Sequence, residues 1–344
     1  MIILFLLMAS FVHHGRPGSP CPKEDISPWF CVNTPTTRQD IYTTFICNRH
    51  KCERRLEKAA GHFIIDRIMI SDVKKDKRKK SRGVIRLPPN WLWTSRVREL
   101  EIRSTPLSGC FLCDSPLSGQ EYYLNKLVAS NCFLSGKVCT DCKKSKVFDY
   151  GHITAVDITG LRHLRSLRVL DFSFNKLEEL SNTSFPSSLT SLKTLVLSHN
   201  IISDISSKAF TQLPSLAELD LSYNQINNLS RDMFSSPNVN LKVLNLSWNK
   251  LSLLPENIFS FMFSLREVVF TNNLLQFLPS TTWNQAPTAI HRIDVTGNFL
   301  ICDCHMKWIV TNLTSRTRLH GSCSAPWKMV DKYLKHAAGI MVCE

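Results

Sequence analysis

The 344-residue sequence predicts an α/β repeat solenoid: a right-handed horseshoe with short parallel strands on its concave side, an irregular convex side and a disulfide-bonded cap at each end. Three observations predict it. An apolar frame recurs every 24 or 25 residues, an asparagine stands at the ninth position of each copy, and all 13 cysteines lie outside the most regular stretch.

The frame is clearest at Leu167-x-x-Leu170-x-Phe172-x-x-Asn175-x-Leu177, and it opens again at Leu192, Leu216, Leu241, Leu265 and Ile290. Its ninth positions are Asn175, Asn200, Asn224, Asn249, Asn273 and Asn298. This is the spacing of a leucine-rich repeat. The alternating apolar residues form a strand with one face turned inward, and the sharp turn that follows leaves backbone groups inside the coil without sheet partners. An unpaired buried group costs about 1–3 kcal/mol, and an asparagine amide carries both donors and acceptors to satisfy such groups. The asparagines are therefore structural. The late phenylalanines Phe185, Phe210, Phe234 and Phe259 fill the convex side as core.

Looser copies precede these six, at Ile65-x-x-Ile68-x-Ile70, Val97-x-x-Leu100-x-Ile102 and Leu124-x-x-Leu127-x-Ala129, with a degenerate turn over Phe148 to Leu161. Eight or nine coils are expected. The predicted organisation is a signal peptide over 1–19, an N-terminal cysteine cap over 20–62 and degenerate repeats over 63–166 with a basic insertion at 74–86. Regular repeats over 167–297 and a C-terminal cap over 298–344 follow.

The apolar run Ile2 to Val12 has the length of a secretory leader and is too short to span a bilayer, with cleavage expected between Ser10 and Ser19. No later run reaches the length of a membrane helix and no anchor tail is present, so a soluble, secreted, extracellular product is expected. The cysteine count agrees, because an oxidising compartment lets thiols staple the ends of a chain. Cys110-x-x-Cys113 and Cys139-x-x-Cys142 have the spacing of a four-thiolate zinc site, but that compartment favours disulfides, with the pairing open. Cys132 falls at position nine of its copy and is expected to be a buried free thiol. The sequons Asn182, Asn228, Asn245 and Asn312 predict glycosylation, although Asn245 lies at position five, where a glycan would crowd the concave face.

Two resemblances extend this reading. The run Cys302-Asp303-Cys304-x-x-x-Trp308, followed by Cys323, Pro326 and Cys343, resembles the C-terminal flanking cap of extracellular leucine-rich-repeat proteins, which implies bridges Cys302–Cys323 and Cys304–Cys343. At the other end, Cys21-Pro22-Lys23-Glu24-Asp25-Ile26-Ser27-Pro28 resembles the head of small secreted arthropod proteins related to the non-catalytic leucine-rich-repeat subunit of a luciferin monooxygenase. The chain departs from that likeness at Trp29, where a cysteine is expected. Of three possible pairings, Cys21–Cys31 and Cys47–Cys52 are then the expected ones. The likeness implies a partner subunit or an extracellular matrix or immune recognition factor.

Two surfaces are candidates for binding. Position eight of successive copies carries Phe174, His199, Tyr223 and Trp248, four rings one coil apart, with Asp171, Asp220 and Asp294 at position five as acceptors. Adjacent exposed aromatics on a rigid sheet suggest recognition of a protein; the plainer reading is a scatter of half-buried rings. The second surface is basic. The net charge of +14 is concentrated between Arg49 and Arg103, centred on Lys74, Lys75, Lys77, Arg78, Lys79, Lys80 and Arg82. Such a run is either a solvated loop or a patch for a heparan-like glycosaminoglycan, and nucleic acid is an improbable partner for an exported chain.

No nucleophile elbow, zinc-protease helix, phosphate loop or dinucleotide glycine pattern is present. The sequence thus predicts a non-catalytic module with no cofactor and no metal, binding an extracellular partner protein through its concave face, or alternatively a polyanion through the basic loop.

Overall fold

The computed structural model describes residues 21–22, 29–36, 41–48, 64–71, 87, 90–105, 107, 117–132, 161, 163–234, 240–283, 286, 290–313 and 315–341. The basic insertion, the leader, Cys52, Cys110, Cys113, Cys139, Cys142 and Cys343 lie outside these residues.

A single 12-stranded sheet runs the length of the molecule. It begins with an antiparallel hairpin, β1 (Phe30–Pro35) and β2 (Ile41–Cys47). The strands β3 (Ile64–Ser71), β4 (Arg96–Arg103) and β5 (Lys126–Ser130) then add in parallel. They are followed by β6 (Val169–Asp171), β8 (Thr194–Val196), β10 (Glu218–Asp220), β11 (Val243–Asn245), β12 (Glu267–Val269), β13 (Arg292–Asp294) and β14 (Arg318–His320). The strands β7 (Glu179–Leu180) and β9 (Asp204–Ile205) pair separately on the returning side of two coils.

Register is uniform because every copy of the frame inserts the same residue into the interior. Leu170, Leu195, Leu219, Leu244, Val268 and Ile293 stand abreast across β6 to β13, and all are buried. A slip of one residue would turn that whole row out to solvent. On the convex side Phe185, Phe210 and Phe234 stack at 5.9 and 5.6 Å, and Phe259, Trp283 and Trp308 continue the aromatic interior at 4.8 and 5.6 Å.

The irregular convex side is present, but the α/β alternation is not confirmed. Among the described residues the coils contain no α-helix; their convex halves are turns and single 3-10 turns at Arg231–Met233 and Ser280–Trp283. Prolines in those halves, among them Pro186, Pro214, Pro255 and Pro279, remove the amide donors that a helix would need. The only α-helices described are α1 (Trp308–Asn312) and α2 (Leu334–Ile340), both beyond the last coil. The protein is a leucine-rich-repeat-type β-solenoid with a repeat of about 25 residues and a disulfide cap at each end.

The asparagine ladder binds coil to coil. Asn224 donates to Leu197 O of the preceding coil at 3.0 Å and to Leu221 O of its own coil at 3.0 Å, while its Oδ1 accepts from Ile202 N–H at 3.0 Å. Asn200, Asn249, Asn273 and Asn298 repeat this pattern. Cys132 fills the same position with half the capability. Its thiol donates to Ile102 O, 3.2 Å away in the preceding coil, and its sulfur is unpaired and buried.

Both ends are covered. Cys21–Cys31 closes the N-terminal hairpin with an S–S distance of 2.07 Å, and Cys47 is disulfide-bonded to a residue outside those described. Trp29 is buried there with its ring 6.5 Å from that of Trp91, filling the place where a cysteine was expected. At the C-terminus Cys302–Cys323 ties the last coil to the cap, Cys304 is bridged, and Trp308 Nε1 donates to Leu278 O at 2.7 Å. Gly321 is required where the cap meets the last coil, because at its φ of +143° a Cβ would lie 2.8 Å from Val295 Cγ2.

Two outcomes follow. Asn224→Ala leaves Ile202 N–H without a partner and takes one of two donors from Leu197 O and from Leu221 O, and it should lower unfolding free energy by about 2–4 kcal/mol in urea titration. Burial pushes the Cys132 thiol up to about 12, so a thiol reagent at neutral pH should find it unreactive in the native chain. With the other twelve cysteines paired, denaturation without reductant should expose one thiol per chain; two or more would contradict that partition.

Candidate functional site: the concave face

The outward side chains of the sheet divide into three zones. The first, over β3 to β5, is a lattice of charges around two carboxylates whose side chains are only 1% exposed. Asp66 accepts from Thr43 N–H on β2 at 2.8 Å and from Arg98 on β4 at 2.5 Å, so it ties the cap hairpin to the second coil. Glu101 accepts from Arg67 and Lys126, both at 2.6 Å, and from Arg103 at 3.3 Å. Burial alone would raise the Glu101 pKa, but the bonds from Lys126 and Arg67 outweigh it and hold the carboxyl at about 2. Both carboxylates of this zone are paired, and the zone serves the fold.

The second zone is the aromatic row, over coils 167 to 248. Here the ladder controls the geometry: for the ninth residue to turn its amide inward, the eighth must take a left-handed backbone conformation. Position eight has φ values of 57° at Phe174, 55° at His199, 54° at Tyr223 and 56° at Trp248. A non-glycine residue there costs on the order of 1–2 kcal/mol, least for asparagine. Neighbouring coils place compatible residues at the same position, Asn131, Asn272 and Gly297. At Gly297 a Cβ would fall 2.3 Å from Asn272 Oδ1.

The shared conformation aligns the four side chains. Phe174 lies 4.0 Å from His199, His199 4.1 Å from Tyr223 and Tyr223 5.2 Å from Trp248, with interplanar angles of 8°, 11° and 10°. Each ring face is covered by its neighbour, so the strip offers ring edges to solvent, with Phe174, Tyr223 and Trp248 exposed by 52%, 42% and 49%. Asn131 and the ladder asparagines complete a shallow groove about these rings.

The position-five carboxylates have a second task that the spacing concealed. Asp171 Oδ1 accepts from Ser173 N–H at 2.9 Å, Asp220 Oδ1 from Ser222 N–H at 3.0 Å and Asp294 Oδ1 from Thr296 N–H at 3.1 Å. Asn245 makes the same turn with Ser247, which also donates its hydroxyl at 2.7 Å. Each side chain thus braces the bend leading to position eight. Among the described residues nothing bonds to the second oxygen of Asp171 or Asp220, whereas Asp294 gives its own to Arg292 at 2.9 Å. Asn182, Asn228 and Asn312 are exposed, and Asn245 is half-buried in β11.

The third zone, at the C-terminal end of the sheet, was not anticipated from the sequence. Glu267, His291, Arg292, Arg316, Arg318 and His320 line a recess of about 580 Å³. Its signal was present in the sequence but dispersed: these residues come from two coils and the cap, and only strand register brings them together. Among the described residues no group of three His, Cys, Asp or Glu side chains is placed to hold a metal ion, and no helix is long and apolar enough to cross a membrane.

Comparison with known proteins agrees with the fold. Residues 190–251 match a family described as leucine rich repeat, and residues 166–190 match a second leucine rich repeat description. No curated protein matches the chain, so nothing there supports the likeness to a luciferin monooxygenase subunit. Among solved structures the chain is similar to one in an "Octameric complex of Latrophilin 3 (Lec, Olf), Unc5D (Ig, Ig2, TSP1) and FLRT2 (LRR)". The two are 18% identical with a TM-score of 0.48, and the match covers 79% of this chain and 80% of that one.

The charge lattice makes a pH prediction. Because the folded pKa of Glu101 lies below its ordinary value of 4.5, its stabilisation is fully present above about pH 4.5 and is lost as pH falls toward 2. Glu101→Gln should therefore be less stable than the native chain at pH 7, with the gap shrinking through that window in denaturant titrations.

Proposed function

We propose that this chain is a secreted, non-catalytic module that recognises a partner protein through its concave face, using the strip Phe174, His199, Tyr223 and Trp248. The observation that carries this reading is the conformational cost of those rings. Four successive coils hold aromatic rings in a backbone region that disfavours them, three exposed and His199 half-buried, while Asn131, Asn272 and Gly297 stand at the same position in other coils. Ring stacking, worth about 0.5–1.5 kcal/mol per pair, offsets that cost only in part. Strain at an exposed surface points to use of the surface.

The strip favours a particular partner chemistry. Ring edges are electropositive and suit carbonyl oxygens and apolar side chains, and the free oxygens of Asp171 and Asp220 suit a donor a few residues away along the strand. A segment of polypeptide laid across the coils meets both requirements. The disulfides at both ends support an oxidising compartment, and the sequence motif at the N-terminus supports export. A polyanion role for Lys74 to Arg82 rests on charge alone, since that run lies outside the described residues.

Asparagine is the informative replacement because the backbone accepts it. Tyr223→Asn with Trp248→Asn should leave the melting temperature within a few degrees of the native value, since strain is relieved as stacking is lost. A protein captured from extracellular fluid by the tagged native chain should be lost from the double variant. Capture by both forms alike would remove the strip from the binding site.

A further inference from the structure

We infer that the recess at the C-terminal end of the concave face is a second binding site, for a sulfated saccharide, with Arg316 and Arg318 as its contact residues. The register that places the wall of this recess sets Glu267, Arg292 and Arg318 abreast on β12, β13 and β14. Adjacent parallel strands lie about 4.8 Å apart, so the two arginines form a like-charge pair that destabilises the sheet unless an anion lies between or beside them.

The two nearest carboxylates balance one member of that pair and leave Arg318 without a bonded anion among the described residues. Arg292 takes both of them, Glu267 at 2.7 Å and Asp294 at 2.9 Å. It is thereby fixed as part of the wall. Arg318 on the neighbouring strand and Arg316 two residues before it are exposed and form no ion pair or side-chain hydrogen bond among the described residues. His291 and His320 flank them, also exposed, with ring nitrogens available as donors. The recess therefore holds two uncommitted guanidinium groups and two imidazoles above an arginine whose charge is already balanced.

The lining selects the ligand class. Guanidinium forks match the oxygens of a sulfate or carboxylate in a bidentate manner, which ammonium groups do not. All six lining residues are ionisable, five of them basic and one acidic. The charge left uncommitted in the recess is positive, and a saccharide carrying sulfate and carboxylate groups supplies anions along its whole length. The open concave wall also admits a chain that continues beyond the recess on either side.

The site is separate from the aromatic strip. Arg318 lies at the outer edge of the sheet, three strands beyond Trp248's coil, and the inference stands whether or not the strip binds a protein.

Titration of the full mature chain with a heparin-derived hexasaccharide tests the site. Arg316→Ala with Arg318→Ala should weaken binding by about tenfold or more, since charge-assisted hydrogen bonds are lost, and should flatten its dependence on salt. Because both side chains are exposed and unbonded and Arg318 faces a like charge, the thermal midpoint should not fall. The loss should also appear in a background where Lys77, Arg78, Lys79 and Lys80 are replaced by alanine, which separates the recess from the basic loop. Binding by the arginine variant equal to that of the native chain, in either background, would overturn the site. Equal binding of the desulfated hexasaccharide or of a poly-glutamate peptide would overturn the assignment to a sulfated saccharide.

Discussion

The hydrogen bonds of the asparagine ladder are the constraint on which the rest of this molecule depends. Each amide joins a carbonyl and an amide of the preceding coil to a carbonyl of its own, so the ladder fixes both the turn within a coil and the stacking between coils. Strands of three residues could not hold such a stack by sheet bonds alone. Once the ninth residue is committed to the interior, the eighth has a left-handed backbone and its side chain must project from the concave rim. The aromatic strip is a consequence of the ladder: the same constraint that closes the coil sets the rings 4.0 to 5.2 Å apart and nearly parallel.

The concave face is not one surface. Near the N-terminus, where the strands are longest, Asp66 and Glu101 are buried among arginines and a lysine, and the charges neutralise one another. In the middle, the position-five side chains of Asp171, Asp220 and Asn245 are braced in turns and the stacked rings stand beside them. At the C-terminal end positive charge exceeds negative, because one arginine absorbs both carboxylates. Satisfied charges stabilise the sheet; the strained rings and uncommitted guanidinium groups do not. That difference separates residues that serve the fold from residues available to a ligand.

The caps solve a different problem. A stack of coils ends in an apolar face, and both ends here use an aromatic side chain along with a disulfide to cover it. Trp29 packs toward Trp91 at one end, and Trp308 extends the interior aromatic column at the other, with its indole N–H bonded to Leu278 O. Trp29, standing where the sequence led one to expect a cysteine, thus covers that end by apolar packing.

By itself the sequence determined the coil and its repeat. Period, inward leucines, position-nine asparagines and the equivalence of Cys132 to them are local patterns, and one residue type at one spacing suffices to specify each. The row Phe174, His199, Tyr223 and Trp248 was legible for the same reason, since position eight recurs in step with the frame. Three things only the tertiary structure decided. The rings face one another and present edges because of a backbone conformation that residue type does not announce. The position-five aspartates brace turns because Ser173, Ser222 and Thr296 fold back onto them. The recess around Arg318 exists because strand register gathers residues from β12, β13 and β14 that are separated by about one coil each in the chain. A repeat fixes what lies above and below each residue, but charge left over after neighbouring side chains pair is a property of the assembled surface.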